Sequence, residues 1–240
     1  MHHVVIESWS RGASLLHARD ARVKVIVLLA FLIALATTPR LTPAACACYA
    51  ALAIAGILLG RLPLGPLLLR AAIVLPFSAT FAAFSLIVGD APRAAGLLVK
   101  SYLSAAAVLV LVGTTPLAKL LRGLESLGAP RLLTLVVQFL YRYLFVISEQ
   151  AQHMRLAALC RGSGPRPLHF RAAAGAIAVL FARSYQRAEG IHQAMLARGF
   201  AGHTQLLSST RIGLRDLLFL VAGLSLVLAL RASLGVLWNP

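Results

Sequence analysis

Apolar positions in this chain come in long runs. Val25–Pro39 carries no charge, nor do the 20 residues Leu41–Gly60, the 19 of Ala71–Gly89 or the 18 of Ser101–Ala118, and Leu217–Leu230 adds a shorter fifth run. A helix needs about 20 apolar residues to cross a bilayer, and it satisfies its backbone polar groups within itself. A β-barrel would instead alternate over segments of about ten residues, which these runs do not. The pattern predicts an all-α, polytopic membrane protein with about five transmembrane helices. Residues 1–22 are polar or mixed and no small-residue cleavage site follows the first run, so that run reads as an anchor and not as a removed signal peptide. RLPLGP joins the second and third spans as a Pro/Gly turn, and GDAPRAAG joins the third and fourth.

After the fourth run the period changes. In GTTPLAKLLRGLESLGAP, Leu117, Leu120, Leu121 and Leu124 recur at i, i+3, i+4 and i+7, while Lys119, Arg122 and Glu125 take the other face. That is one apolar stripe on a short helix. Thr115 suits its N-cap and Pro116 its first position; Gly128 and Pro130 stop it. Too short to span, it is predicted to lie in the cytoplasmic interface with its basic residues toward headgroups. Residues 132–148 are apolar but interrupted by Arg142, and a polar stretch follows to Gly162. Residues 168–185 are half apolar, hold Arg171 and Arg183, and lead into a second polar helix ending at Gly199. Both are read as long helices that start at membrane depth and run out into the cytoplasm, short of full spans. The expected division is 1–113 for helices one to four, 114–130 for the interfacial helix, 131–212 for two long cytoplasmic helices, and 213–240 for a last span.

Composition agrees with the pattern. The chain has 240 residues, 60% hydrophobic and only 12% charged, where a soluble domain has about a quarter charged. Its net charge is +16. In a soluble protein that would suggest nucleic acid; here the positive-inside rule explains it first. Arg19, Arg22 and Lys24 precede span one, Arg61 and Arg70 lie between two and three, and Lys119, Arg122 and Arg131 follow four. The other connections are poor in basic residues, which places the N-terminus in the cytoplasm. Nine of the 23 Lys/Arg fall within 149–215, so that region is expected on the same side.

Candidate chemistry is sparse. None of the seven acids lies within an apolar run, whereas ion-coupled carriers usually hold an intramembrane carboxylate. There is no Gly-x-x-x-x-Gly-Lys-Ser/Thr loop, so a motor, if there is one, is another subunit. Met1-His2-His3 could chelate a metal, but a terminal segment without that role is the plainer reading; His153 and His192 read as solvent-facing helix positions. Cys46 and Cys48 read as small packing residues, and Cys160 as a reduced thiol. No catalytic or metal site is assigned.

One motif stands out. Ala-x-Leu-x-Arg-Gly occurs in AALCRGS, with Ala157, Cys160, Arg161 and Gly162, and again in AMLARGF, with Ala194, Ala197, Arg198 and Gly199; the two arginines are 37 positions apart. Gly suits the left-handed position after a helix end. Arg in the last turn favours the negative end of the helix dipole, and it can hold a carboxylate with two hydrogen bonds. The small Ala one turn earlier keeps the approach open. Helix capping alone would account for either copy; two alike tips on one chain suit a partner with two like faces, as a dimeric motor has.

Across nearly its whole length the sequence resembles the transmembrane T component of energy-coupling factor importers, most closely the cobalt-type, CbiQ-like members. LHARDARVKVIVLLAFLIA resembles the family's entry into span one, and GTTPLAKLLRGLESLGAPRLL its Thr-Thr-Pro amphipathic segment. LYRYLFVISEQAQHMRLAALCRG and RAEGIHQAMLARGF resemble its two signature helices. The resemblance implies a non-catalytic coupling subunit in a bacterial inner membrane. Its partners would be an ABC-type ATPase dimer, a small membrane S component and an accessory membrane subunit. ATP and magnesium would be held by the ATPase, and the metal substrate by the S component. The two signature helices would sit in grooves of the two ATPases, and Leu117, Leu120, Leu121 and Leu124 would offer a surface to the S component. Ala197-Arg198-Gly199 matches the signature outright; Cys160-Arg161-Gly162 has Cys for Ala. Cobalt is the expected substrate; nickel, or less expectedly biotin or another vitamin, stays open. From a different class, the alternative is a self-sufficient carrier or membrane-embedded enzyme whose basic region binds anionic lipid or a phosphorylated substrate; it accounts for the charge but not for the repeat.

Overall fold

The computed structural model describes residues 9–10, 12, 14–38, 42–160, 170–200 and 213–236. Among these residues the regular elements are helices: α1 (Ala21–Thr37), α2 (Pro43–Leu59), α3 (Leu64–Ala71) running through a 3₁₀ turn (Ala72–Val74) into α4 (Leu75–Ile87), α5 (Ala91–Thr114), α6 (Leu117–Ser126), α7 (Arg131–Cys160), α8 (Phe170–Ala197) and α9 (Leu214–Val236). Three stretches are long and apolar enough to cross a membrane: Leu64–Ile87, Ala91–Thr114 and Arg131–Cys160. These helices make it a polytopic membrane protein. Helices α1 and α2, with 17 residues each, reach about 25 Å at 1.5 Å per residue. Phe77, Phe84 and Ile87 on α4 are more than two-thirds exposed. Such a face is at home in lipid and anomalous in water.

The chain forms two compact units, 1–128 with 210–240, and 129–209. In the first, side-chain bonds give the helix directions. Lys24, in the first turns of α1, donates to the carbonyl of Thr114 at the end of α5, while Lys100 of α5 donates to the carbonyl of Thr38 just past the end of α1. The two helices are therefore antiparallel, each placing a cation on the other's C-terminal carbonyls, where the helix dipole favours it. Arg19 pairs with Asp216 in the first turn of α9, and Arg231 near its end donates to the Thr37 carbonyl, so α1 and α9 are parallel. The core between them holds Phe31, Leu35, Tyr49, Leu103 and Val227, with the Phe31 and Tyr49 rings edge to face. A largely apolar cavity of about 390 Å³ remains among α1, α2, α5 and α9.

Several boundaries differ from the sequence expectation. The fourth span begins at Ala91, not Ser101, and ends at Thr114. The helix runs through Lys100, whose amine reaches the Thr38 carbonyl. RLPLGP is only partly a turn: α3 starts at Leu64, with Pro66 in its first turn, where its missing N–H costs no helix bond. Thr115 does not cap α6; Pro116 occupies that position without a side-chain bond, and Thr115 Oγ1 accepts from Lys24 instead. Segment 132–148 and the polar stretch after it are one continuous helix, as expected; what differs is that this 30-residue helix is not short of a span.

Helix α2 ends in an unusual way. Arg61 N–H donates to the Leu58 carbonyl and Leu62 N–H to that of Ile57, which puts Arg61 in the left-handed position at φ 50°. Glycine normally stands there, but the glycine of this stretch is one residue earlier. Gly60 is needed where it is: a Cβ on it would stand 3.1 Å from Thr114 Cγ2. Close approach of α2 to α5 has displaced the glycine from the cap.

Candidate functional site

The second unit carries the repeated motif. Helix α8 keeps its register to Ala197, and the turn after it closes with two bonds. Gly199 N–H donates to the Leu196 carbonyl and Phe200 N–H to that of Met195. This is a Schellman turn, with Gly199 in the left-handed conformation at φ 77°. Nothing lies within 4 Å of where a Gly199 Cβ would be, so the glycine answers to backbone conformation alone. Arg198 is left at the cap, exposed, and Ala194 and Ala197 before it are exposed as well. Met195 and Phe200, both half-buried, stand at the two positions whose apolar side chains commonly meet in this turn. The tip thus offers one guanidinium on a 28-residue helix, flanked by small residues.

The first copy is described only to Cys160. Ala157 and Cys160 are exposed at the end of α7, and Cys160 is a free thiol; Arg161 and Gly162 lie outside the described residues. Within the unit, α7 and α8 pack along a groove of about 420 Å³ lined by Phe139, Tyr143, Phe181 and Tyr185 among others. Rings a helical turn apart adjoin on α7, Phe139 with Tyr143 and Tyr141 with Phe145.

The apolar stripe of α6 belongs to the first unit. Leu121 is 8% exposed and Gly123 is buried, while Leu117, Leu120 and Leu124 are half-buried and Lys119 and Arg122 exposed. A Cβ on Gly123 would stand 3.2 Å from both Ala21 Cβ and Arg22 N. The stripe therefore faces this chain's own bundle at Leu121, and only its margins remain for another surface. No group of three or more His, Cys, Asp or Glu converges among the described residues; Met1, His2 and His3 lie outside them.

The sequence reading missed Lys24. Its side chain is 6% exposed, and its amine donates to the Thr114 carbonyl at 3.1 Å and to Thr115 Oγ1 at 3.0 Å. It counted there only as one basic residue ahead of a span. It also missed Asp216, which accepts from the N–H of Asp20 and of Gly213 and so joins the starts of α1 and α9. The one signal for Lys24 was its place: a lysine one turn inside the helix, not ahead of it.

The profile of the CbiQ family, described as cobalt transport protein, matches residues 12–207. The cobalt transport protein CbiQ of Rhodobacter capsulatus is 32% identical over 222 residues, which is 88% of this chain and 88% of that protein. Two uncharacterised proteins of Methanocaldococcus jannaschii are 27% identical over 110 residues and 28% over 103, covering 45% and 42% of this chain and 38% of each relative.

Proposed function

The chain belongs to the CbiQ family of cobalt transport proteins, and from that premise we propose that it is the transmembrane coupling subunit of an ATP-driven importer. It is a membrane component of a transporter; its coupling role, its partners and its cargo are the proposal. The observation that carries the reading is the α8 tip. A Schellman turn presents Arg198 beside two small exposed alanines, and the same residue pattern recurs at 157–162.

In this account each tip sits on one ATPase of a dimer, its arginine on a carboxylate of that surface. ATP binding draws the two ATPases together. Helices α7 and α8 move with them and tip a small membrane partner between outward and inward exposure. That partner binds the metal, cobalt(II) before nickel, which is cargo and not a resident cofactor. The chain itself hydrolyses nothing, and its Arg and Ala residues serve only to seat the motor. The N-terminus is cytoplasmic and the membrane is the bacterial inner membrane. Tagged chain purified from the native membrane should bring down an ATPase pair and one small membrane protein, and the chain alone should show no ATPase. ATPase or carrier activity in the isolated chain would favour the self-sufficient reading instead.

A further inference from the structure

We infer that Lys24 is a positioning residue: it clasps the elbow between α5 and α6 to the start of α1, so that the amphipathic helix stays seated on the bundle while the transporter turns over. The functional half of this inference rests on the coupling role proposed above; the structural half does not.

Four observations meet at the elbow. Lys24 is buried, and so are Thr114 and Thr115, at 1% and 4% exposure. A buried ammonium is costly unless its donors are used, and this one spends two of its three on the last carbonyl of α5 and on the hydroxyl of the next residue. Helix α6 has ten residues and no side-chain cap; a helix that short does not hold itself in water, and its place must come from outside. Gly123 brings the α6 backbone within contact of Ala21 and Arg22, which leaves no room for a side chain between the two helices. Lysine at one end and glycine in the middle thus fix the same helix to the same partner. The α1 terminus they grip is itself fixed, because Asp20 accepts from Arg22 N–H and donates its own N–H to Asp216.

A leucine or methionine at position 24 could fill the space but could not hold the elbow. The consequence is that α6 acts as a fixed seat on the bundle, and movement passes through other elements.

Amide hydrogen exchange on the whole complex in lipid nanodiscs tests this directly. In the wild type, protection of the α6 amides should be the same without nucleotide and with ATP trapped. Lys24→Met should raise exchange in α6 by about ten-fold, the size expected for a lost charge-assisted bond, with α5 unchanged. Lys24→Arg should restore most of the protection. Thr115→Val keeps the ammonium on the Thr114 carbonyl and should give a smaller rise, so it serves if Lys24→Met accumulates poorly. In vesicles, Lys24→Met should spend more ATP per ion carried, a ratio that mere loss of protein would not change. Unchanged α6 exchange in both Lys24→Met and Thr115→Val would overturn the clasp, and so would loss of α6 protection in the wild type when ATP binds. If the wild-type complex shows no ATP-driven uptake, the coupling role fails, and the exchange rates still decide the clasp.

Discussion

The Phe200 N–H donates to the Met195 carbonyl at 3.0 Å, and that bond fixes where Arg198 stands. It closes the turn across the end of α8 and leaves Arg198 exposed at the tip. A lysine at the same cap would carry the charge without the planar fork that binds a carboxylate through two bonds.

The turn requires Gly199 at φ 77°. Gly199→Ala should cost about 1 kcal/mol by placing a Cβ in the left-handed region. The cost should appear as faster amide exchange at Phe200 and in the last turn of α8, with the rest of the helix unaffected. Gly199→Asn should cost less, since asparagine tolerates this conformation.

The end of α2 gives an opposite pair of expectations. Arg61→Gly removes a side chain from φ 50°, and should raise the melting temperature in detergent by a few degrees, as about 1 kcal/mol does in a domain of this size. Gly60→Ala should lower it, because its Cβ meets Thr114 and the Gly56 carbonyl at 3.1 and 3.2 Å.

The α6 stripe should divide by burial. Leu121→Asp puts a charge where the wild-type side chain is 8% exposed, and membrane abundance should fall, as expected of a buried unpaired charge. Leu120→Asp and Leu124→Asp fall on half-buried margins. They should insert normally and lose co-purification of the small membrane partner. Equal abundance of the Leu121 and Leu120 variants would show that the stripe does not face the bundle.

Two of the apolar runs, Ala71–Gly89 and Ser101–Ala118, fall largely on helices long and apolar enough to cross a membrane, because a span is a local property of about 20 consecutive residues; the third such helix, Arg131–Cys160, reads as short of a span because Arg142 interrupts it. The tip at Arg198-Gly199 was legible because a helix end is likewise written in adjacent residues. What else escaped depends on a distant partner. Thr115 reads as a cap until Lys24, 91 residues earlier, takes its hydroxyl. The charge-free run starts only at Ser101, yet the helix runs through Lys100, whose amine finds the Thr38 carbonyl 62 residues away. Arg61 cannot be read as a left-handed residue without Thr114 crowding Gly60. Leu121 and Leu120 look alike along the sequence, and only packing against α1 separates them.

The central claim is that the arginine tips couple a motor to transport. Its most direct test is ATP-driven cobalt uptake by vesicles carrying the whole complex with Arg198→Glu, and separately with Arg161→Glu, at matched membrane abundance. Each reversal should replace a salt bridge with like-charge repulsion and reduce uptake by more than about ten-fold. Normal uptake in both variants would contradict the account.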